Sequence, residues 1–310
     1  PDLYRDNAVS ATTPTASGDS AVAIGSNARA TGSRSVSIGF NTNSTQNYNV
    51  SIGHAAASAG VGGLAIGYDA RADASYANAI GRSFANGQDS FAAAIGNNSS
   101  SYGATGASSI AMGDRAKSTS AWAIALGQHA LASDTYTFAV GFRAQATQDF
   151  SVAIGKEASS DIYGKHTQAS GRFAATGDAQ TGTFILRSDT TDATAEALTT
   201  NKSTASSTNQ VTLPNNSAYA FHGTIVARQQ AADGTACAAW KVEGLIRREA
   251  NAGTTVLVNS ATTVLDNTPN WGMALSADTT NGCLKIEVTG AASTNIRWVA
   301  TIHTSEVTYA

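Results

Sequence analysis

Trp122–Gly141 reads WAIALGQHALASDTYTFAVG and contains the same pattern twice, a strand of alternating small and large residues that ends at a glycine. The pattern recurs through the first half of the chain and ends at Gly25, Gly39, Gly53, Gly67, Gly81, Gly96, Gly113, Gly127, Gly141, Gly155 and Gly171. The steps between these glycines are 14, 14, 14, 14, 15, 17, 14, 14, 14 and 16 residues. Such self-similarity is typical of a repeat architecture in which each unit packs on its neighbours.

One repeat has room for two short strands and two tight turns, and no room for a helix. Counted from each glycine, positions +9, +11 and +13 tend to be large, as in Trp122, Ile124 and Leu126, whereas positions +10 and +12 are small. Positions +3 and +5 are often alanine, as in Ala130 and Ala132. The period-2 alternation predicts one coil of a narrow β-solenoid per repeat, with a bulky and a slim row of side chains on opposite faces of the strand before each glycine.

The slim row carries almost no charge, so we expect it to lie in a crowded place. A thin stack of coils buries few large side chains for the backbone that it orders. We therefore expect both faces of this strand to be covered, one by its own coil and one by other subunits. The predicted structural core of the repeats is Ile24, Ile38, Ile52, Ile66, Ile80, Ile95, Met112, Leu126, Val140 and Ile154.

Over residues 18–172 the repeats resemble those of the YadA-like heads of trimeric autotransporter adhesins, in which a Ser-Val-Ala-Ile-Gly strand precedes spaced alanines. The clearest copies are Ser20–Gly25, Ser35–Gly39, Asn49–Gly53 and Ser151–Gly155. The resemblance implies a left-handed parallel β-roll wound as a homotrimer. The longer steps around Gly96 and Gly113 predict bulged loops near Asn97–Ala107.

Composition limits the kinds of partner that the chain is expected to bind. Only 13% of the 310 residues are charged and the net charge is −3, with no basic stripe, so nucleic acid is not an expected partner. No run approaches the roughly 18 apolar residues of a spanning helix, so membrane insertion is not expected. The chain begins at Pro1 without methionine, and we expect a further N-terminal part.

The second half of the chain follows a different pattern. The predicted domains are an incoming segment at 1–17, the repeats at 18–172, a connector or neck at 173–210 and a β-sandwich tip at 211–310 that could begin at 181. Longer alternating strands separated by turn-prone segments predict the sandwich. Trp240, Trp271 and Trp298 are in phase with apolar neighbours and are predicted to lie in its core. Cys237 and Cys283 could form a disulfide if their strands are adjacent, or remain as two free thiols.

Residues 170–307 resemble the distal domain of tail fibre proteins of tailed bacteriophages. The matching segments are Thr176–Gln180 (TGDAQ), Thr190–Asp192, Leu213–Asn216 (LPNN), Arg297–Ala300 (RWVA) and Glu306–Val307. This resemblance implies a host-contacting tip, and an N-terminal part through which the chain contacts other tail or baseplate proteins.

No catalytic constellation stands out in the sequence. The histidines His54, His129, His166, His222 and His303 are scattered and show no metal-ligand spacing with the cysteines. Acidic residues such as Asp69, Asp73, Asp114 and Asp134 fall at turns, where short polar side chains are common. We therefore expect no enzyme activity, no cofactor and no metal.

Together these patterns predict an all-β protein, with a trimeric left-handed parallel β-roll of 14-residue repeats followed by a C-terminal β-sandwich. The predicted function is that of a phage tail fibre that attaches the virion to a host cell-surface receptor, expected to be a glycan. The alternatives are the exposed head of a bacterial trimeric autotransporter adhesin, located at the bacterial outer surface, and a glycan-depolymerising tailspike. In the tip, Asp266, Asn267 and Asn270 are the predicted receptor-binding residues, with a plain solvated turn as the competing interpretation.

Overall fold

A computed structural model of the chain describes residues 12–96, 101–230 and 234–309. Most of the segment predicted at 1–17, and residues 97–100 of the loop predicted near 97–107, lie outside these ranges. The chain divides into two compact units, residues 1–146 and 147–310. In the part that the structure describes, the regular elements are β-strands and a single 3-10 turn at Ala252–Thr254.

The first unit consists of short strands that alternate with corners. They are β1 (Thr15–Ala16), β2 (Val22–Ile24), β3 (Arg29–Ala30), β4 (Val36–Phe40), β5 (Asn43–Ser44), β6 (Val50–His54), β7 (Ala57–Ser58), β8 (Leu64–Tyr68), β9 (Arg71–Ala72), β10 (Asn78–Ile80), β11 (Phe84–Ala85), β12 (Phe91–Ala93), β13 (Gly103–Ala104), β14 (Ile110–Met112), β15 (Lys117–Ser118), β16 (Ile124–Leu126), β17 (Leu131–Ala132), β18 (Phe138–Val140) and β19 (Gln145–Ala146).

Each strand of the first unit pairs in parallel with the equivalent strand of the next coil. The odd-numbered strands form one sheet and the even-numbered strands another. In the regular coils the register advances by one 14-residue repeat, so that Ile38 pairs with Ile52 and Ile110 with Ile124. This is the parallel β-solenoid predicted from the glycine spacing.

The slim row fills the inside of each coil. Ala65, Ala79, Ala111, Ala125 and Ala139, each two residues before the glycine of its repeat, are fully buried. The residues on either side of them in the strand point outward and are only partly covered. The interior is narrow because most of the side chains that separate its two sheets are the methyl and hydroxymethyl groups of alanine and serine.

The corners of the coils use left-handed backbone at every seventh residue. From Ser20 to Tyr76, the nine residues at this spacing have φ between 54° and 67°, and only Gly62 among them is a glycine. The same spacing returns from Ser108 to Arg143. A non-glycine residue in this region costs of order 1 kcal/mol, so two corners per coil hold conformations that the hydrogen bonds between coils must stabilise.

The second unit contains two further coils and a larger antiparallel assembly. Its strands are β20 (Val152–Gly155), β21 (Ser159–Ser160), β22 (His166–Ala169), β23 (Ala179–Thr190), β24 (Ala195–Ala197), β25 (Val211–Thr212), β26 (Ser217–Gln229), β27 (Cys237–Arg248), β28 (Val256–Asp266), β29 (Gly272–Asp278), β30 (Cys283–Thr289) and β31 (Ile296–Thr308).

Two sheets of this unit pack on each other as a β-sandwich. The larger sheet has the order β20-β22-β23-β31-β26-β27-β28, which is parallel at β20-β22 and antiparallel from β22 onward. In the smaller sheet, β30 pairs with β29 and with both β24 and β25. One strand, β22, therefore belongs both to the last coil and to the sheet of the sandwich.

The sandwich core contains the three tryptophans of the second half, as predicted. Trp298 is fully buried, and its ring centroid lies 5.8 Å from those of Trp240 and Trp271. Its indole N–H donates to Thr190 Oγ1 at 2.9 Å, so the polar edge of the ring is satisfied inside the core. Ile286 and Val288 of the smaller sheet complete the same cluster.

Both cysteines are free thiols. Cys237 is exposed on the larger sheet, whereas Cys283 is buried on the smaller sheet. The Thr212 hydroxyl lies 3.0 Å from its sulfur, and the Ser206 carbonyl 4.0 Å, because residues 206–212 run over this strand. The predictions of an all-β chain, a parallel β-roll and a C-terminal sandwich are confirmed; the trimer remains a prediction.

Candidate functional site

The loop predicted to bind the receptor lies between β28 and β29. The Asn267 side chain forms hydrogen bonds within the loop. Its oxygen accepts from Trp271 N–H at 2.9 Å, and its amide donates to Trp271 C=O at 2.8 Å. Asp266 accepts from the backbone and hydroxyl of Thr268. Asn270 is exposed with φ of 58°. The structure brings the three residues into one turn, in which Asp266 and Asn270 face solvent, and their role in binding remains a prediction.

The residues predicted as the repeat core lie on the outer face of their coils, with one exception. Ile95 is fully buried, whereas Ile80, Met112 and Ile154 are each more than 40% exposed. The other six, Ile24, Ile38, Ile52, Ile66, Leu126 and Val140, are half-buried. Their predicted burial between subunits requires a second copy of the chain and remains a prediction.

Exposed aromatic rings follow the same outer surface of the first unit. Phe40, His54 and Tyr68, one coil apart, stack with ring centroids 5.1 and 4.9 Å apart, and Trp122 stacks on Tyr136 at 4.8 Å. Each ring covers its neighbour and leaves its outer edge in solvent. These rows are the large apolar surface that the first unit offers to a partner.

A polar cleft of about 260 Å³ opens beside β23 and β24 in the second unit. Its lining includes Ser188, Glu196 and Lys202. The Ser188 hydroxyl donates to Glu196 Oε2 at 2.8 Å, and Lys202 Nζ lies 2.6 Å from Asp189 Oδ1. Hydroxyl, carboxylate and ammonium groups on one small concave surface suit a polyhydroxylated ligand. The sequence gives no signal for this cleft, because residues 173–210 have the composition of a connector.

The outer face of the larger sheet in the second unit carries several exposed apolar side chains among polar ones. Exposed side chains there are Ile185, Val226, Leu245, Val299 and Val307. At one end, a groove of about 590 Å³ is lined by Leu245, Val307 and the exposed ring of Phe173. An exposed apolar groove of this kind is typical of an interaction site.

A buried charged cluster lies at the junction of the last coil with the sandwich. Lys165 and Glu306 side chains are each 1% exposed, and Lys165 Nζ lies 2.8 Å from Glu306 Oε2. Thr304 donates to the other carboxylate oxygen at 2.7 Å. Burial, together with the charges of Glu306 and Asp161, raises the pKa of Tyr219 well above its ordinary value. The sequence held a signal for this cluster, since Lys165 occupies the small +10 position of its coil and Glu306 is in phase with buried Thr304 and Ile302.

Asp178 fixes the loop that precedes β23. Burial alone would raise the pKa of its carboxyl, but hydrogen bonds from the backbone N–H groups of Ala174, Ala175 and Phe173, together with nearby Arg172, lower that pKa overall. The loop is therefore held by a carboxylate that remains ionised at neutral pH.

The described residues hold neither a metal-ligand cluster nor a membrane-spanning helix. Among residues 12–96, 101–230 and 234–309, no three His, Cys, Asp or Glu side chains are grouped so that they could hold a metal ion. The same ranges contain no helix with the length and hydrophobicity needed to cross a membrane.

Among solved structures, the chain is similar to the tailspike protein gp49 of the Acinetobacter baumannii bacteriophage Fri1, described as a capsular polysaccharide depolymerase. The TM-score is 0.24 and the identity 11%; the match covers 87% of this chain and 47% of that protein, so this chain spans about half of its length. No curated protein matches the chain.

That comparison corrects the sequence-based expectation that the chain is not an enzyme. The sequence-based expectation set aside glycan depolymerases. The tailspike to which this chain is similar is described as one of them. At this TM-score the similarity assigns no activity to the chain, and no catalytic residues follow from it.

The repeats match a known sequence family. The YadA head domain repeat matches residues 16–42, 104–130, 123–144 and 132–158. These segments contain the parallel coils described above, with the slim row inside and the glycine at the end of the strand. Residues 16–42 and 104–158 thus match the YadA head domain repeat that the sequence resembles.

Proposed function

We propose that the chain is an adhesive protein of a phage tail, that it assembles as a homotrimer and that it attaches the virion to a glycan on the host cell surface. The observation that carries the proposal is the pairing of a solenoid of YadA head repeats with a sandwich whose polar cleft suits sugar hydroxyls. Three identical tips would raise the avidity for a repeated surface glycan without strong individual contacts.

The support for the homotrimer is the exposed apolar surface of each unit. Tyr68, Tyr76 and Trp122 of the first unit are each more than half exposed, as are Ile185 and Val226 of the second. Soluble monomers rarely expose so many large apolar side chains in rows, whereas interfaces between copies of a chain regularly bury them. Sedimentation at micromolar concentration should give a trimer, and a folded monomer would refute this part of the proposal.

Two surfaces of the second unit are candidates for glycan contact, the polar cleft and the loop at Asp266–Asn270. Replacing Lys202 with alanine removes the ammonium of the cleft. Replacing Asp266 with alanine and Asn270 with glycine removes the two side chains of the loop that face solvent, and glycine tolerates the positive φ of residue 270.

The test is adsorption of the full-length trimer to host cells, measured with and without competing host polysaccharide. We expect the Lys202→Ala variant, the loop variant or both to bind at least several-fold more weakly, with unchanged melting. Arg71→Ala in the first unit is the control and should bind normally. Undiminished adsorption by both variants would refute these sites, and adsorption insensitive to polysaccharide would refute a glycan receptor.

The same preparation separates adhesion from depolymerisation. Release of reducing sugar from host polysaccharide over time would show that the chain cleaves the glycan that it binds. Binding without release would leave adhesion as its activity.

A further inference from the structure

The buried cluster at Lys165 has a composition that a simple ion pair does not require. Besides Lys165, the carboxylate of Glu306 accepts from the side-chain amide of Gln180, whose Nε2 lies 2.8 Å from the same oxygen, Oε2. An amine and a primary amide are thus held on one carboxylate oxygen. The ion pair alone is a weak source of stability, because desolvation of two buried charges offsets their attraction.

The amide of Gln180 is held in one orientation. Its oxygen Oε1 accepts from Ser159 N–H at 2.9 Å, and its Nε2 donates to Ser159 C=O at 2.9 Å. A backbone N–H aimed at an amide oxygen is the arrangement that stabilises negative charge on that oxygen when a nucleophile adds to the carbon.

The surroundings are dry and aromatic. Lys165 Nζ lies 5.3 Å from the centre of the buried Phe184 ring and 5.8 Å from that of Tyr219. Gly182 leaves the space that the cluster fills, since a Cβ at this position would stand 2.3 Å from Glu306 Oε1 and 3.1 Å from Lys165 Cε. Lys165 Nζ and Glu306 Oε2 are within direct proton-transfer distance of each other.

We propose that Lys165 and Gln180 form an intramolecular isopeptide bond, with Glu306 as the proton carrier. Glu306 takes one proton from the Nζ ammonium, and the free amine adds to Cδ of Gln180. The carbonyl electron pair moves to Oε1, where Ser159 N–H stabilises it. Nζ then gives up a second proton through the same carboxylate. One of the two protons goes to Nε2, and the other stays on Glu306, which ends protonated.

The Cδ–Nε2 bond then breaks and Nε2 leaves as ammonia. The products are a secondary amide between Nζ and Cδ, one ammonia molecule and a neutral Glu306. No oxidant, metal or cofactor enters the balance. A cavity of about 140 Å³ lined by Lys165, Gln180 and Tyr219 adjoins the cluster and provides room for the ammonia to depart.

The bond would join the last coil to β23 of the sandwich by a covalent link, which mechanical load on the tip could not pull apart as it could an ion pair. The full-length chain, denatured and measured by intact mass spectrometry, should weigh one ammonia less than its sequence. Trypsin should leave Lys165 uncut and give residues 157–172 joined to residues 173–187.

Lys165→Arg keeps the charge but lacks the nucleophile, and Glu306→Gln lacks the proton carrier; each should show the full sequence mass. Lys156→Arg, at an exposed lysine of the same unit, should keep the cross-link. The wild-type measurement does not depend on how the variants fold. The full sequence mass in the wild-type chain, a loss of ammonia without the joined peptides, or a link from Lys165 to Glu306 with loss of water would each overturn the proposal.

Discussion

Two glycines at the same position of the repeat should respond differently to substitution by alanine. Gly39 and Gly81 occupy the same position of the sequence repeat, so the sequence pattern predicts the same cost for Gly39→Ala and Gly81→Ala. Gly39 has φ of 129°, and a Cβ there would stand 1.8 Å from the carbonyl oxygen of Gly53 in the next coil. Gly81 has φ of 76°, with no atom within 4 Å of the position that a Cβ would take.

The expected magnitudes follow from these environments. Alanine at Gly81 meets only the left-handed backbone penalty of about 1–2 kcal/mol. Alanine at Gly39 has two further costs. It must adopt a backbone conformation nearly restricted to glycine, and its Cβ collides with the backbone of the next coil, which cannot move aside. We therefore expect the unfolding free energy to fall by about 4 kcal/mol or more. At about 2–4 °C per kcal/mol, the first variant should melt a few degrees lower and the second should melt far lower or fail to fold.

Thermal melting followed by far-UV circular dichroism measures both shifts, and limited proteolysis of the first unit shows whether the loss is local. Equal shifts for the two variants would refute the coil register described above, because that register alone distinguishes the two positions. A larger shift for Gly81→Ala would refute it as well.

Further predictions concern charge, association and thiol reactivity. Because the folded pKa of Asp178 is lowered, its stabilising contribution is present above the ordinary carboxyl pKa near 3.8 and is lost as the pH falls through the folded value; Asp178→Asn should be less stable at neutral pH, and its deficit, followed by melting from about pH 5 to pH 3, should shrink. A constant deficit would contradict this. Ile154→Asp should dissociate the trimer, as measured by light scattering, because it places a charge in the outer row that we expect partners to cover. Arg71→Ala, at an exposed ion pair with Asp73, should change the unfolding free energy by no more than about 0.5 kcal/mol. Equal tolerance of both changes would argue against the interface. Burial raises the pKa of Cys283 to about 11, so a thiol reagent should label Cys237 of the native protein and spare Cys283, and equal labelling would contradict the buried position.

The repeats could be predicted from the sequence because their signal is repeated many times. A glycine every 14 residues, with alternation before it, specifies two short strands and their parallel pairing. The sequence also indicated the sandwich and its buried tryptophans, since Trp240 and Trp298 are in phase with apolar neighbours. These features rest on local periodicity, which a single sequence displays directly.

Other features depend on contacts that periodicity does not report. The left-handed corners hold Tyr48, Trp122 and Phe150, residue types that rarely adopt positive φ, so composition gave no sign of them. The pairing of Lys165 with Glu306 joins residues 141 positions apart. The polar cleft forms from a segment without alternation, which has no period to detect. In each case the chain's tertiary contacts, rather than local preference, decide the structure.

The uniform alanine-lined interior has a consequence for how the chain finds its fold. A strand that paired one coil too early or too late would meet the same small side chains and make the same backbone hydrogen bonds, so the regular coils scarcely distinguish the correct pairing from a slipped one. Unique positions must supply the difference. Asn49 is one, buried where other coils carry Gly63 or Ala77, with its amide donating to Ser58 C=O at 2.7 Å and accepting from Gly63 N–H at 3.0 Å. The irregular 15- and 17-residue steps also distinguish the two pairings, because a pairing shifted by one coil across them would leave extra residues unpaired. The irregularities of this solenoid thus favour the correct pairing among coils that would otherwise be interchangeable.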